Sequence, residues 1–497
     1  GLALGLGPQD VDHGAGQLWR VPGGTLREEI SRRPELAPLA QRLRDNRQMD
    51  LLVDLTERLD RLPRHISMHP CGVILSDTTL LDRTPVQASG IGLPMSQYDK
   101  HDMDPMGLIK LDILGVRMQS TLAHAVAEVA RLHPHEAPPD LDTMPRDDPD
   151  TFRLISSTHT LGCFQIESPG QRELIGTMGP EEFNDLVVDI SLFRPGPMQA
   201  NMVRPYLNAR HGWSTPVYPH PDLEEILAET RGVAVYHEQI MRIMDRMTGC
   251  GLGRADVWRR LLGSPGEEPV ETAFREGARA RGYMRAVIDT VWEILHAFGS
   301  FGFCKAHGVA FAVPTYQSAW LKTHHPEAFM AGVWEHDPGM YPARLLVGEA
   351  RRMGIPVLGP DVKRSGEKHR GEAVTPRPGT VVSGDLDAGI PHTQDGAWGI
   401  RMSLSAITGI SSAEIERLLA GQPYENLAAV RARARPSRRS LQRLATAGAL
   451  DGLLHGSGTR ASRADMVHFL TDRAQLPARG SAGRTGPGQG QLALPLG

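Results

Sequence analysis

Aspartate residues stand at several points in the sequence where carboxylates could do metal chemistry. Residues 106–118, MGLIKLDILGVRM, alternate with the period of two that is typical of a β-strand, and Asp112 lies between Leu111 and Ile113. Burying an unpaired charge is costly, so a carboxylate in such a strand is normally paired, exposed or bound to a metal ion. The pattern alone leaves these three explanations open.

Three D-x-D pairs offer another arrangement, because two carboxylates two residues apart on a strand face the same side and can hold divalent ions. The pairs lie in DMD (102–104), PDLD (139–142) and DLD (385–387). Each lies beside Pro or Gly, so the sequence predicts solvated turns at all three.

Histidine and cysteine spacing gives a weaker indication of a metal site. RHISMHPCG contains His65, His69 and Cys71, but a zinc site needs three or four ligands and no second cluster follows, so polar residues entering a strand are the preferred interpretation. The four cysteines are far apart and form no C-x-x-C motif, which predicts free thiols in a reducing cytoplasm.

Two segments carry cations that suit phosphate groups. Lys305 and His307 follow a Gly-rich turn and open a predicted helix, an arrangement that favours phosphate binding, although most such residues are surface charges. Residues 431–443, RARARPSRRSLQR, contain six Arg and no acid. Contact with a nucleic-acid backbone and a solvated helix face are equally good interpretations of this run.

The composition is that of an ordinary globular protein. The 497 residues suit about two to four domains, with 40% hydrophobic and 23% charged residues. There is no apolar run of membrane-spanning length and no signal peptide, so we expect no membrane association. The net charge of −4 does not exclude local basic faces. The chain opens GLALGLGPQD without Met, which indicates either a processed N-terminus or a piece of a longer protein.

The order of predicted elements is mainly helical. Residues 1–65 have helical periodicity, 66–118 contain the strand CGVILS and the strand of Asp112, and 119–365 return to helices. In HEQIMRIMDRM a stripe of Ile and Met residues predicts core packing: Ile240, Ile243, Met244 and Met247. Residues 366–400 are expected to form loops and hairpins, 401–455 short helices, and 456–497 a flexible tail.

Taken in order, these segments resemble the bacterial DNA polymerase III alpha subunit, the C-family replicative polymerase, or its error-prone relative. The motifs RHISMHPCGVIL, MSQYDKHDMDPMGLIKLDILG, FRPGPMQANMV, YHEQIMRIM, ADVWRRLLG and FGFCKAHGVAFAVPTYQSAWLKTHHPEAF follow in the family's order. The resemblance implies an α+β, mostly helical fold. It would comprise a helical thumb (1–65), a partial polymerase-beta-like palm (66–118), helical fingers (119–365) and a tandem helix-hairpin-helix region (401–455).

The family implies template-directed nucleotidyl transfer from dNTPs to a DNA primer-template, in replication or repair synthesis. Three palm aspartates hold two Mg²⁺ ions, and Asp112 matches the third as a catalytic and metal-binding residue. The other two belong to a P-D-x-D-x-D strand, which this sequence lacks upstream of Asp112. We therefore expect an N-terminally truncated fragment that does not extend DNA alone. The alternative is a module that only binds primer-template and clamp.

The resemblance also assigns nucleotide contacts in the fingers. Lys305 and His307 match the Lys and His at the start of the family's long fingers helix, Arg194 matches the R-P-G-P turn, and Arg259 and Arg260 match its paired Arg. The family often continues the R-R segment with G-K-K, whereas this chain reads RRLLGSPGEEPVE. This change from basic to acidic residues marks either a paralogue or a decayed copy.

The C-terminal segments imply two further contacts. Gly409 fits the first hairpin, AITGISSAEIERLL, although Ser411 replaces a second Gly, and LQRLATAGALDGLL marks a second hairpin. Backbone contact is then assigned to the arginines between them: Arg431, Arg433, Arg435, Arg438 and Arg439. The final GQGQLALPLG resembles a sliding-clamp peptide or is a chance apolar end, its anchors being Gln491, Leu492, Leu494 and Leu496. Other replisome subunits are expected partners by family.

Overall fold

The computed structural model describes residues 1–18, 23–63, 66–69, 71–100, 102–103, 105–193, 202–299, 303–375, 398–454 and 462–471. The chain divides into two compact units, Gly1–Gly115 and Val116–Gly497. Helices dominate and the sheets are small, which confirms the α+β, mostly helical fold class. In the part of the chain described, no helix has both the length and the apolar character needed to cross a membrane.

The first unit opens with helices, as the periodicity of its sequence predicts. They are α1 (Pro8–Gln17), α2 (Leu26–Arg32), α3 (Ala37–Asp45), α4 (Arg47–Arg58) and, after the first strand, α5 (Leu80–Arg83). Leu and Ile side chains from α2 and α3 form a small core with Met49 and Val53 of α4. Asn46 caps α4, because its side chain accepts hydrogen bonds from the N–H groups of Gln48 (2.9 Å) and Met49 (3.3 Å).

The two predicted strands of this unit are confirmed as β1 (Gly72–Leu75) and β4 (Ile109–Asp112). Two short strands between them were not predicted, namely β2 (Val86–Ala88) and β3 (Pro94–Ser96). The strands β1 and β4 pair in antiparallel fashion with Gly72 opposite Asp112, and β2 pairs with β3 as a separate hairpin.

The second unit begins with a series of helices between Arg117 and Arg352, close to the helical segment predicted for residues 119–365. They are α6 (Arg117–Leu132), α7 (Pro149–Ser156), α8 (Pro169–Met178), α9 (Phe183–Leu192), α10 (Val203–Arg210), α11 (Glu224–Leu227), α12 (His237–Thr248), α13 (Leu252–Leu261), α14 (Glu267–Ala280), α15 (Arg285–Phe298), α16 (Lys305–His324), α17 (Pro326–His336) and α18 (Ala343–Arg352). The Ile and Met stripe of α12 is buried in a hydrophobic cluster with α14 and α15, which confirms its interpretation as core.

The long helix α16 is buried along much of its length, and its polar side chains bond to the backbone around it. Tyr316 accepts a hydrogen bond from the N–H of Asp148 (3.0 Å), and Ser318 accepts one from the N–H of Phe164 (3.0 Å). The fully buried Lys322 ammonium donates to the carbonyls of His159 (2.7 Å) and Leu161 (2.8 Å). Side chains of α16 thus provide hydrogen-bond partners for backbone N–H and C=O groups in the loops on either side of α7.

The C-terminal part of the second unit contains a small sheet followed by short helices. In the sheet, β7 (Trp398–Arg401) lies between β5 (Val357–Leu358), which is parallel to it, and β6 (Arg370–Ala373), which is antiparallel. The helices are α19 (Ser412–Ala420), α20 (Leu427–Arg433), α21 (Arg438–Thr446), α22 (Asp451–Leu454) and α23 (Arg463–Thr471).

The helix α23 lies in the segment that the sequence predicts to be a flexible tail, so that prediction is wrong for residues 463–471. Met466 and Leu470 are buried in the same core as α19 to α22. The composition of the flanking residues, rich in Gly, Ser and Arg, concealed a short apolar segment that gains its stability from tertiary packing.

Candidate functional site

The β1–β4 sheet has two chemically different faces. Side chains alternate along a strand, so Leu111 and its cross-strand partner Val73 share one face, and both are exposed. Lys110 and Asp112 lie on the other face with Ile74. This register explains the carboxylate in an apolar strand, because the apolar side chains of β4, Ile109 and Leu111, lie on the face opposite to Asp112.

Asp112 is exposed and paired. Its side chain is 58% exposed, and its carboxylate lies 2.7 Å from Lys110 Nζ. The hydrogen bond from Lys110 holds the pKa of the Asp112 carboxyl below its usual range, with a further small contribution from His69. The carboxylate is therefore ionised and open to solvent, and a metal ion binding it would replace Lys110 as its cation.

A cavity of about 830 Å³ lies beside this face, within the first unit. Its lining includes His69, Ile74, Tyr98 and Lys110. His69 lies at the entry to β1, where its Nδ1 accepts hydrogen bonds from the N–H groups of Gly72 (2.8 Å) and Cys71 (3.2 Å). The histidine orders the start of the strand, in line with its interpretation as a polar residue at a strand entry.

The D-x-D pair of residues 140–142 forms the turn that was predicted for it. Asp140 accepts hydrogen bonds from the N–H of Asp142 (3.1 Å) and the hydroxyl of Thr143 (2.7 Å). Asp102 likewise accepts from the N–H of Asp99 (2.8 Å). The third pair, 385–387, and Asp104 lie outside the described residues, as does His65. The cysteines Cys71, Cys163, Cys250 and Cys304 are free, as expected.

Lys305 is the first residue of α16, where the helix dipole gives the N-terminus a partial positive charge. Its ammonium pairs with the Glu229 carboxylate and lies 5.6 Å from the centre of the buried Tyr236 ring. Its backbone N–H donates to a Glu238 carboxylate oxygen at 3.1 Å. Two of the protein's own carboxylates therefore lie at a helix end that attracts anions.

The α12 and α16 starts are joined by backbone contacts. Tyr236 forms a parallel bridge with Phe303, and the N–H of His237 donates to the Phe303 carbonyl at 2.8 Å. The exposed His307 ring packs against Phe303 (5.3 Å between ring centres) and Phe311 (4.5 Å). The structure thus holds Lys305 and His307 within the first turn of one helix, as the sequence predicts.

The other predicted nucleotide contacts differ in accessibility. Arg259 and Arg260 both pair with Asp256 of their own helix α13, at 2.7 Å and 3.0 Å. Arg259 is 17% exposed and Arg260 is 70% exposed, so Arg260 is the better placed to reach a ligand. Arg194 lies outside the described residues.

The acidic residues that replace the expected basic pair have a local structural role. Glu267 and Glu268 form the first turn of α14, where negative charge is stabilised by the helix dipole. Glu267 also lies 2.8 Å from His296 Nδ1 on α15. These acids therefore stabilise a helix start, whatever their effect on a ligand.

Two glycines with left-handed backbone conformation mark the predicted hairpins. Gly409 has φ +85° before α19, and Gly448 has φ +80° between α21 and α22. A Cβ at Gly409 would overlap the guanidinium of Arg443, and one at Gly448 would lie 2.7 Å from Arg463 Cζ. At each hairpin glycine, an arginine side chain occupies the space that a Cβ atom would need.

The predicted backbone-binding arginines divide into two groups. Arg433 pairs with Glu425 and lies over the Tyr424 ring, and Arg438 donates to the Leu470 carbonyl (3.3 Å), so both have structural partners. Arg435 and Arg439 are exposed, and Arg431 is half-buried.

Arg439 and Arg443 line a shallow groove with Ile407 of the first hairpin. Arg443 was missing from the predicted contacts although it ends the Arg-rich run, because only its contact with Gly409 distinguishes it. The clamp-peptide anchors Gln491, Leu492, Leu494 and Leu496 lie outside the described residues.

Glu414 joins the two hairpins. Its carboxylate accepts hydrogen bonds from the N–H of Ser437 (2.7 Å) and the hydroxyl of Ser440 (2.9 Å), at the start of α21. Burial alone would raise its pKa, but these bonds hold the pKa of Glu414 at about 2. The Ser411 hydroxyl, 3.1 Å away, belongs to the same network, so Ser411 has a capping role at the position where the family usually has Gly.

Three family models match the chain in succession. The bacterial DNA polymerase III alpha NTPase domain matches residues 1–115, and the finger domain of the same subunit matches residues 118–282. A helix-hairpin-helix motif matches residues 354–462 and confirms the nature of the C-terminal region.

Curated relatives similar to the chain are error-prone DNA polymerases. The protein of Teredinibacter turnerae is 34% identical over 464 residues, covering 91% of this chain and 42% of the relative. That of Symbiobacterium thermophilum is 32% identical over 98% of this chain and 44% of its own length. The protein of Pseudomonas aeruginosa is 32% identical, and the match covers 97% of this chain and 45% of the relative. The chain thus spans less than half the length of these relatives.

Replacing Glu414 by Gln should destabilise the hairpin region by roughly 0.5–2 kcal/mol at neutral pH, the range of a lost helix cap. A carboxyl with a depressed folded-state pKa stabilises above its unfolded value, near 4.5, and loses that effect as the pH falls towards 2. The difference between wild type and Glu414→Gln should therefore shrink over this window. Amide hydrogen exchange in α19 and α21 measures it.

The exposed Glu416 on the same helix offers a matched control. Glu416→Gln should leave exchange in α21 unchanged at every pH. Equal effects of the two substitutions would show that the Glu414 bonds to Ser437 and Ser440 do not stabilise the hairpins.

Proposed function

The chain belongs to the bacterial DNA polymerase III alpha family, and we propose that it forms the nucleotide-binding and duplex-binding part of a DNA-directed DNA polymerase. The observation that carries the proposal is the start of α16, where Lys305 stands on a helix N-terminus beside exposed His307. A triphosphate is the anion that such a site suits, because oriented N–H groups and a cation both favour phosphate oxygens.

In this proposal an incoming dNTP replaces Glu229 as the partner of Lys305. The Lys305 and Glu229 side chains are 35% and 33% exposed, so a ligand from solvent can reach the pair. An exposed ion pair contributes only about 0–1 kcal/mol, which a multiply charged triphosphate can outweigh. Arg260 and the predicted Arg194 would add contacts, and we retain Arg259 as a weaker candidate.

Asp112 is proposed as one ligand of the divalent ions that polymerases of this kind use, with Mg²⁺ as the ion. An exposed carboxylate at the end of a strand fits one such oxygen ligand. When bound, two Mg²⁺ ions would activate the primer hydroxyl and stabilise the leaving pyrophosphate. The strands β1 and β4 contain no other carboxylate, so this stretch of chain holds one of the ligands required.

The two hairpins are proposed to hold duplex DNA by its phosphates. Arg439 and Arg443 face the same groove as the first hairpin, and Arg435 is exposed nearby in sequence. Since the relatives are named error-prone DNA polymerases, we propose repair synthesis rather than main replication as the setting. A sliding clamp, bound through Gln491, Leu492, Leu494 and Leu496, and other replisome subunits are the proposed protein partners.

Lys305→Met should weaken binding of a fluorescently labelled dNTP with Mg²⁺ by about 10- to 100-fold, the size expected for a lost charged hydrogen bond. Glu229→Gln should strengthen it, because the internal competitor loses its charge. Lys368→Met, at an exposed lysine of the same unit, serves as the control. Equal affinities for the Lys305 and Lys368 variants would contradict the assignment.

The 497-residue chain alone should not extend a primer with Mg²⁺ and all four dNTPs. One carboxylate does not hold two divalent ions, so the reacting oxygens would not be bridged. A gel-based primer-extension assay measures this, with an intact polymerase of the family as the positive control. Robust incorporation by the isolated chain would show that it assembles a complete metal site.

Duplex binding should be insensitive to sequence and should weaken steeply between 50 and 200 mM salt, because phosphate contacts release counterions. Arg439→Gln and Arg443→Gln should each reduce the slope of log affinity against log salt by about 1. Arg285→Gln removes an exposed arginine of α15 and should leave the slope unchanged. Fluorescence anisotropy provides the measurement, and affinity that does not vary with salt would refute phosphate-based binding.

A further inference from the structure

Three metal-binding side chains that play no part in the proposed nucleotide or DNA contacts converge in the second unit. His133 immediately follows α6, His325 joins α16 to α17, and Glu327 lies in the first turn of α17. One potential ligand atom from each side chain lies within 4.8 Å of the other two. We propose that His133, His325 and Glu327 bind one divalent transition-metal ion, with Zn²⁺ as the best fit.

The burial of Glu327 is the first argument for a cation at this place. Glu327 is 4% exposed, and within the described residues its carboxylate has no ion pair. A buried carboxylate normally has a cation or several hydrogen-bond donors beside it, and a bound metal ion would supply the missing charge.

The two histidines are suited to be ligands. Both rings are partly buried, and a neutral imidazole binds a metal ion through the lone pair of one ring nitrogen. Trp398 packs edge-on against the His133 ring (5.5 Å between ring centres), and Trp320 packs against His325 (5.6 Å). These aromatic contacts restrict the orientation of both imidazoles.

The donor set selects the class of metal. Two imidazole nitrogens and one carboxylate oxygen suit Zn²⁺ and its neighbours, whereas Mg²⁺ and Ca²⁺ prefer oxygen ligands alone. Bond lengths of about 2.0–2.1 Å place tetrahedral ligands about 3.3 Å apart, so modest side-chain rotations would close the site. Three protein ligands leave the fourth position to water. The ion would fasten the end of α6 to the α16–α17 junction.

The proposal is tested on the full chain, freed of metal by a chelator and titrated with Zn²⁺ by calorimetry. We expect one saturable site. Affinity should fall by at least about 100-fold in His325→Gln and Glu327→Gln, because losing even an outer partner of a metal ligand costs 10- to 100-fold. His135→Gln removes an exposed histidine two positions from His133 and should leave binding unchanged.

A second readout separates this site from the four free thiols. Co²⁺ bound by nitrogen and oxygen ligands lacks the intense thiolate charge-transfer absorption, so a strong thiolate band for the first equivalent would overturn the proposal. Absence of a saturable Zn²⁺ site, or wild-type affinity in folded Glu327→Gln, would also overturn it. His133→Gln replaces any variant whose circular dichroism shows that it does not fold, and wild-type affinity in that variant would equally overturn the proposal.

Discussion

The second unit is organised around a charge that has been taken completely out of water. The Lys322 ammonium is fully buried on α16 and donates to Glu349 on α18 (2.7 Å) as well as to two loop carbonyls. Desolvating an ammonium costs several kcal/mol, so it is tolerated only where several acceptors satisfy its donors. Glu349 is held in turn by Arg352. The arrangement has little freedom, because moving any partner would leave a buried charge unmatched.

This constraint fixes a helix whose two ends carry the proposed chemistry. Because α16 is held near its C-terminus by Lys322 and along its length by Tyr316 and Ser318, its first turn has a defined position. Lys305 stands at that first turn, and His325 directly follows the last. The helix therefore carries the Lys305 cation at one end and the proposed metal ligand His325 at the other.

Periodicity in the sequence predicted the strand of Asp112 and the buried stripe of α12, because both depend on local spacing. It could not predict that Lys322 is buried, since a lysine in a helical pattern is normally solvated and its acceptors lie in distant loops. The cluster of His133, His325 and Glu327 escaped for the same reason, because its members meet only through packing. Family motifs located Lys305, but its pairing with Glu229 required coordinates.

Burial separates the ion pairs that hold the structure together from those whose charges a ligand can reach. Lys322 and Glu349 are 0% and 4% exposed, and breaking such a pair costs about 3–5 kcal/mol, so neither is free to meet a ligand. Lys305 with Glu229, and Lys110 with Asp112, are partly open to solvent. Pairs of that kind contribute about 0–1 kcal/mol, so their partners are exchangeable. In the proposed function, a phosphate would displace Glu229 from Lys305, and a metal ion would displace Lys110 from Asp112.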